Sequence, residues 1–176
     1  RDVKIEKVYL DGCTNINIES EVVSLQSKQS TVTCNRHVRG ALLYGTTLKF
    51  KTAEGIHCST KSHIVGEKIT NDLTLCELTT SDVEDISEIT KFTRYWVSSK
   101  TYLEELVEKA PNITWLEVGF DGLPSTLKRL FPKLEYLACT YSPSIETLKE
   151  ATYTDIAELI GEGIYFSGDP NEEIEE

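Results

Sequence analysis

The sequence predicts an α/β solenoid of one domain, in which each repeat gives one strand to a parallel concave sheet and returns through a short helix or irregular segment on the convex side. Three observations lead there. The first is a repeat. Ala110-Pro111-Asn112-Ile113-Thr114-Trp115-Leu116-Glu117-Val118-Gly119-Phe120 lies over Phe131-Pro132-Lys133-Leu134-Glu135-Tyr136-Leu137-Ala138-Cys139-Thr140-Tyr141 at a constant offset of 21. Proline, aliphatic, aromatic, leucine and a small core residue recur in step, the mark of stacked coils that bury their apolar edges against one another. The second is the spacing between strands. Leu103, Leu106, Val107 and Ala110 fall at i, i+3, i+4 and i+7, one face of a helix over 100–110 that Pro111 stops. The third is size: 176 residues, 39% of them apolar, suffice for one domain with its own core.

Taken in order, the central apolar residues of the strands are Val8, Val32, Ile56, Cys76, Tyr95, Leu116, Leu137 and Ile164, with steps of 24, 24, 20, 19, 21, 21 and 27. The offset of 21 also pairs Phe92 with Ile113, Val97 with Val118, and Leu106 with Leu127. Leu73, Cys76 and Leu78 fill the same slots one turn earlier. Ahead of Val32 and Ile56 the apolar position three residues back is Gln29 and Ala53, so 47–52 and 55–60 also read as a hairpin around Ala53-Glu54. Further helices are predicted over 81–89, with Ser81 as N-cap and Val83, Ile86 and Ile89 at helical spacing, and over 144–160, ended by Gly161. The domain then spans 1–168, as irregular turns or a cap over 1–70 and regular repeats over 71–168. An acidic tail or linker follows over 169–176.

The strand pattern, apolar-x-x-apolar-x-apolar, resembles the leucine-rich-repeat family: Ile113-x-x-Leu116-x-Val118-x-x-Asp121-x-Leu123 is similar to LxxLxLxxNxL, with Asp121 where the family has Asn or Cys. Ile5-x-x-Val8-x-Leu10-x-x-Cys13 resembles it with the family's Cys. The resemblance is clearest over 73–148. It implies a leucine-rich-repeat solenoid whose outward strand positions bind a protein. One outward column is Tyr9, Thr33, His57, Glu77, Trp96, Glu117, Ala138 and Tyr165, and the column before it is Lys7, Thr31, Gly55, Leu75, Arg94, Trp115, Tyr136 and Gly163. Trp96, Trp115 and Tyr136 are the expected anchors, with Arg94, Glu117, Phe120 and Tyr141 around them and Tyr9, His57 and Glu77 extending the surface. Exposed aromatics and Arg are the residues that dominate binding energy.

Charge narrows the partners. With 18 basic and 29 acidic side chains the net charge is −11, of which five acidic groups sit in the last eight residues. An acidic field repels nucleic-acid backbones and anionic lipid surfaces, so neither is an expected partner. No apolar run approaches the roughly 20 residues of a membrane helix. The expected partner is another protein, with self-association through the last strand, around Ile164 and Phe166, as an added route.

No catalytic motif is present, so a non-enzymatic recognition module without cofactor is expected. The alternative is a metal-dependent hydrolase built on His37, His57, His63 and nearby cysteines, although His57-Cys58-x-x-x-x-His63 matches no usual zinc spacing. Five cysteines, at 13, 34, 58, 76 and 139, leave at least one unpaired. As in the caps of secreted relatives, Cys13 with Cys34 or Cys58 with Cys76 are candidate disulfides. Asn112-Ile113-Thr114 is a glycosylation sequon. The absence of Met and the first residue Arg1 suggest a trimmed product. A secreted immune or receptor-ectodomain fragment accounts for these features, and a cytosolic adaptor is the alternative compartment.

Overall fold

The computed structural model describes residues 3–76, 78–94, 100–119, 131–140 and 165–167. The chain forms two compact units, Arg1–Lys91 and Phe92–Glu176.

The first unit is a β-solenoid with two strands in every coil. Its strands are β1 (Lys4–Asp11), β2 (Ile16–Ile18), β3 (Glu21–Lys28), β4 (Thr31–Cys34), β5 (Val38–Tyr44), β6 (Thr47–Thr60), β7 (His63–Leu75) and β8 (Thr80–Asp85). One sheet stacks β1, β3, β5 and the second halves of β6 and β7; the other stacks β2, β4, the first halves of β6 and β7, and β8. All of these strand pairs are parallel. Register partners recur at a nearly constant sequence offset: 17 for Lys4 and Glu21, 16 for Val22 and Val38 and for Thr31 and Thr47, and 15 for Ala41 and Ile56. β6 and β7 pass from one sheet to the other without ending.

The in-out pattern explains the stacking. Ile5, Val22, Val38, Ala53 and Ile69 form one inward row, and Val8, Leu25, Ala41, Ile56 and Leu73 a second. The two rows are three positions apart on β1, β3, β5 and β6, the spacing of the predicted template, and four apart on β7, where the register shifts. The template recurs at a step of 15 to 17 rather than 24. Val22, Leu25, Val38 and Ala53 are wholly buried. A parallel sheet covered on its inner face gains about 1.5–3 kcal/mol per large aliphatic side chain removed from water. In the other sheet Ile16, Val32, Leu48 and Ile64 form a row of their own, of which Val32, Leu48 and Ile64 are wholly buried.

The corner between the two sheets repeats as well. Gly12, Gln29, Gly45, Lys61 and Leu78 all have positive φ, between 44° and 63°. Each is followed by a small polar residue: Cys13, Ser30, Thr46, Ser62 and Thr79. Ser30, Thr46, Ser62 and Thr79 are buried. The hydroxyls of Ser30, Thr46 and Ser62 bind the corner backbone: the amide of Cys13 donates to Ser30 Oγ at 3.0 Å, that of Thr46 to Ser62 Oγ at 3.3 Å, Ser30 Oγ donates to the Lys28 carbonyl at 2.7 Å, and Thr46 Oγ1 to the Tyr44 carbonyl at 3.3 Å. This ladder satisfies amides that the bend takes out of the sheet.

Several expectations change. Val8, Val32 and Ile56 are not successive strands of one sheet. Val8 and Ile56 stand three coils apart in one row, and Val32 lies midway, in the opposite sheet. The hairpin around Ala53-Glu54 does not form, because β6 is continuous and pairs in parallel along both halves. The helix expected over 81–89 is replaced by β8, whose alternating exposure matches a strand; pairing with the ready template of β7 outweighs a short helical periodicity. Leu78 is not a core residue but a corner residue, 76% exposed.

The second unit follows the predicted repeat. It contains β9 (Lys91–Arg94) apart from its first residue, α1 (Lys100–Lys109), β10 (Trp115–Gly119), β11 (Tyr136–Thr140) and β12 (Tyr165–Ser167), with sheet order β9-β10-β11-β12. Trp115 pairs with Tyr136 and Leu116 with Leu137, the offset of 21 read from the sequence. Ala110, Ile113, Leu116 and Val118 are buried, as are Phe131, Leu134 and Leu137. α1 matches the predicted helix and buries Leu106. Its end, at Ala110 before Pro111, closes with the Ala110 amide donating to the Leu106 carbonyl at 2.7 Å. β11 and β12 pair Tyr136 with Tyr165 and Leu137 with Phe166, so Tyr165 belongs to the row of Trp115 rather than beside Ala138. The helix expected over 144–160 and the tail over 169–176 lie outside the described residues.

Candidate binding surface

In the first unit the outward side of the β1-β3-β5-β6-β7 sheet carries side chains in register rows. One row runs Tyr9, Gln26, Leu42, His57 and Thr74. Tyr9 is 71% exposed and Leu42 46%. The next row runs Asp11, Lys28, Tyr44 and Thr60, with Tyr44 48% exposed. Leu42 and Tyr44, two positions apart on one strand, share a face, and Tyr9 lies two strands away, about 10 Å. On the other flank the row Ser24, Gly40 and Gly55 is small, so these apolar side chains stand above a low floor.

Tyr9 and His57, predicted for the surface, are therefore exposed and in one row. Thr33, expected between them, sits in the opposite sheet, and the places it was given belong to Gln26 and Leu42. Leu75, expected to point outward, is buried. Leu42, Tyr44, Gln26 and Lys28 were missed. The signal for them was the alternation of Ala41-Leu42-Leu43-Tyr44 read against the shorter coil step.

In the second unit Trp115 and Tyr136 stack with ring centroids 3.6 Å apart and planes 24° from parallel. Both are half-buried, as are Arg94 and Glu117; Glu117 stands opposite Ala138 in the register. The adjacency predicted for Trp115 and Tyr136 is met, since a repeat of 21 places them on neighbouring strands. Trp96, Glu77, Phe120 and Tyr141 lie outside the described residues.

Charged and reactive groups are distributed over several coils. His37 contacts Thr52 Oγ1 at 2.8 Å through Nδ1 and Glu54 Oε1 at 3.4 Å through Nε2. His63 contacts Thr80 Oγ1 and lies 3.6 Å from Asp82 Oδ2. His57 stands in the outward row away from both. No group of three or more His, Cys, Asp or Glu is arranged to hold a metal among the described residues. Asp72, half-buried in the row of Gly55, has its carboxyl pushed above the ordinary range by burial, against the pull of Lys91 and His57.

Cys13, Cys34 and Cys58 are free thiols, so neither candidate disulfide, Cys13 with Cys34 or Cys58 with Cys76, is formed. Cys34 and Cys58 point inward as the alignment expected, because a small apolar thiol fits the inward rows. Burial pushes the Cys34 thiol up to about 11 and, with Cys76 nearby, that of Cys58 up to about 12. Asn112 of the sequon is half-exposed and its Oδ1 accepts a hydrogen bond from Lys133 Nζ one repeat on. A hollow of about 500 Å³ at the start of the solenoid is lined by Val3, Lys4, Ser20, Glu21, Arg36 and His37, among others. The Lys4 ammonium, 3.0 Å from Glu21, holds the Glu21 carboxyl below its usual range.

Compared with known proteins, the chain matches no family model, no curated protein and no solved structure.

Proposed function

We propose that this chain is a non-enzymatic recognition module that binds another protein through the outward face of its parallel sheet. The observation that supports the reading most is the placement of Tyr9, Leu42 and Tyr44, large and exposed, on one face of a hydrogen-bonded sheet. Clustered apolar groups of this kind are costly to hydrate and mark interaction surfaces. A stacked solenoid holds them in fixed positions, which lowers the ordering cost of binding. The half-buried Trp115–Tyr136 stack offers a second anchor of the type enriched at hot spots.

The reading extends to kinship for the second unit. The register of 21 between β10 and β11, and the helix α1 between β9 and β10, support leucine-rich-repeat-like coils there, with one strand and one return segment in each.

The test compares proteins retained from native fluid or lysate by the wild type, by Leu42→Ser/Tyr44→Ser, by Trp115→Ala and by a control on the opposite sheet, Lys49→Ser. A partner held by the wild type and the control, and weakened by about 2 kcal/mol or roughly thirtyfold in one of the first two, fits a hot-spot role. Retention unchanged in all the variants would rule out both faces as the binding surface.

A further inference from the structure

The first described coil buries its inward residues less completely than the second. Val22, Leu25 and Val32 are wholly buried, while their register partners in the first coil, Ile5, Val8 and Ile16, are only half-buried. Among the described residues β1 pairs with β3 alone. Its other edge therefore presents backbone N–H and C=O groups, backed by apolar side chains, to whatever lies beyond.

The side chains of this edge are self-complementary. Lys4 is engaged with Glu21, but Lys7 and Asp11, both exposed, enter no ion pair among the described residues. From Lys7 to Asp11 the strand alternates regularly, with Val8 and Leu10 inward and Lys7, Tyr9 and Asp11 outward. We infer that a second copy of this chain covers the end, its β1 pairing antiparallel with the first about a two-fold axis at Tyr9.

In that register Val8 faces the partner's Leu10, Lys7 faces the partner's Asp11, and the two Tyr9 rings meet on the axis. Inward residues meet inward ones, and each cation meets an anion, twice per dimer because a two-fold interface repeats every contact. Neighbouring registers fail. An axis at Lys7 opposes like charges, an axis at Val8 sets Lys7 against the partner's Tyr9, and an axis between two residues of this stretch sets inward side chains against outward ones. The N-terminal edge thus carries information for its own copy. This interface uses the strand edge and shares Tyr9 with the outward recognition face proposed above, whose Leu42 and Tyr44 it leaves free.

Sedimentation of the whole chain over a range of concentrations at physiological salt tests the inference. The expected result is a monomer–dimer equilibrium in the wild type and in Leu42→Ser/Tyr44→Ser, which separates this question from partner capture. Lys7→Asp and Asp11→Lys each replace two attractions by two repulsions, and each raises the dimer dissociation constant about tenfold or more. An equimolar mixture of the two variants restores association to within about threefold of the wild type, as a heterodimer, because opposite charges meet again at both places. Circular dichroism matching the wild type confirms that each variant is folded. A wild type that stays monomeric, a dimer indifferent to both reversals, or a mixture no tighter than its components would overturn the inference and assign the end to another strand.

Discussion

The two units of this chain build parallel sheets by different return paths. In the second unit, the successive strands β10 and β11 pair at a sequence offset of 21, and a helix lies between β9 and β10. In the first, the coil step is 15 to 17 and the return segment is itself a strand, paired into a second sheet. The shared element is the strand template apolar-x-x-apolar-x-apolar. The segment after the template decides the coil: a left-handed corner residue and a buried small polar residue turn the chain at once into a second strand, whereas a longer connection leaves room for a helix.

Removing whole coils tests that difference with the largest expected effect. Deletion of 38–52 brings Ala53 to the place of Val38, its register partner, and leaves the stack intact in both sheets. The variant is expected to keep its β-type circular dichroism and a cooperative melt. Deletion of 32–55, a step of 24, brings Ile56 to the place of Val32 in the opposite sheet and is expected to abolish the transition.

A smaller effect distinguishes interior from end. Ile56, buried inside its row, is expected to lose about 3 kcal/mol on replacement by Ala, and Val8, half-buried in the first coil, about 1 kcal/mol, both read from urea unfolding. Equal losses would mean that the first coil is covered as fully as the interior.

These contrasts also show what was legible. Prolines, rings and leucines of the second unit recur at one offset, the offset at which β10 and β11 pair, so a linear comparison finds the repeat. In the first unit the inward rows mix Val, Leu, Ala, Ile, Ser and Cys, and a second set of apolar residues lies in the opposite sheet. Val8, Val32 and Ile56 are equally spaced only because one and a half coils separate each pair, and the spacing aliased onto a longer repeat. The corner signal, Gly12-Cys13, Gln29-Ser30, Gly45-Thr46, Lys61-Ser62 and Leu78-Thr79, was present but chemically diverse. Tyr9 and His57 were found because three coils preserve the row; Leu42 and Tyr44 were hidden because the intervening coils were not seen.

The corner ladder gives the next smaller effect. Thr46 Oγ1 lies 3.2 Å from Ser27 Oγ and 3.3 Å from the Tyr44 carbonyl, all within the bend. Thr46→Val keeps the shape and removes the hydroxyl, and is expected to cost about 1–2 kcal/mol in the same unfolding assay. The predicted loss is specific to the first unit, where corners depend on such groups.

The smallest effect is a pH dependence. Because burial raises the Asp72 pKa in the folded state, the stabilisation linked to its proton is present in full below the ordinary carboxylate pKa and is lost as pH rises through the raised value. Asp72→Asn is therefore expected to raise the melting temperature slightly at pH 7 and to change it little at pH 3, flattening the profile between. A variant less stable at pH 7 than at pH 3, relative to wild type, would reverse the sign.

The most direct measurement is the cross-strand contact map of the first unit by nuclear Overhauser effects. The coil step of 15 to 17 predicts backbone contacts linking Tyr9 to Gln26, Gln26 to Leu42 and Leu42 to His57 in sequence across the sheet. Contacts linking Tyr9 to Thr33 and Thr33 to His57 would contradict the coil and, with it, the surface on which recognition is proposed.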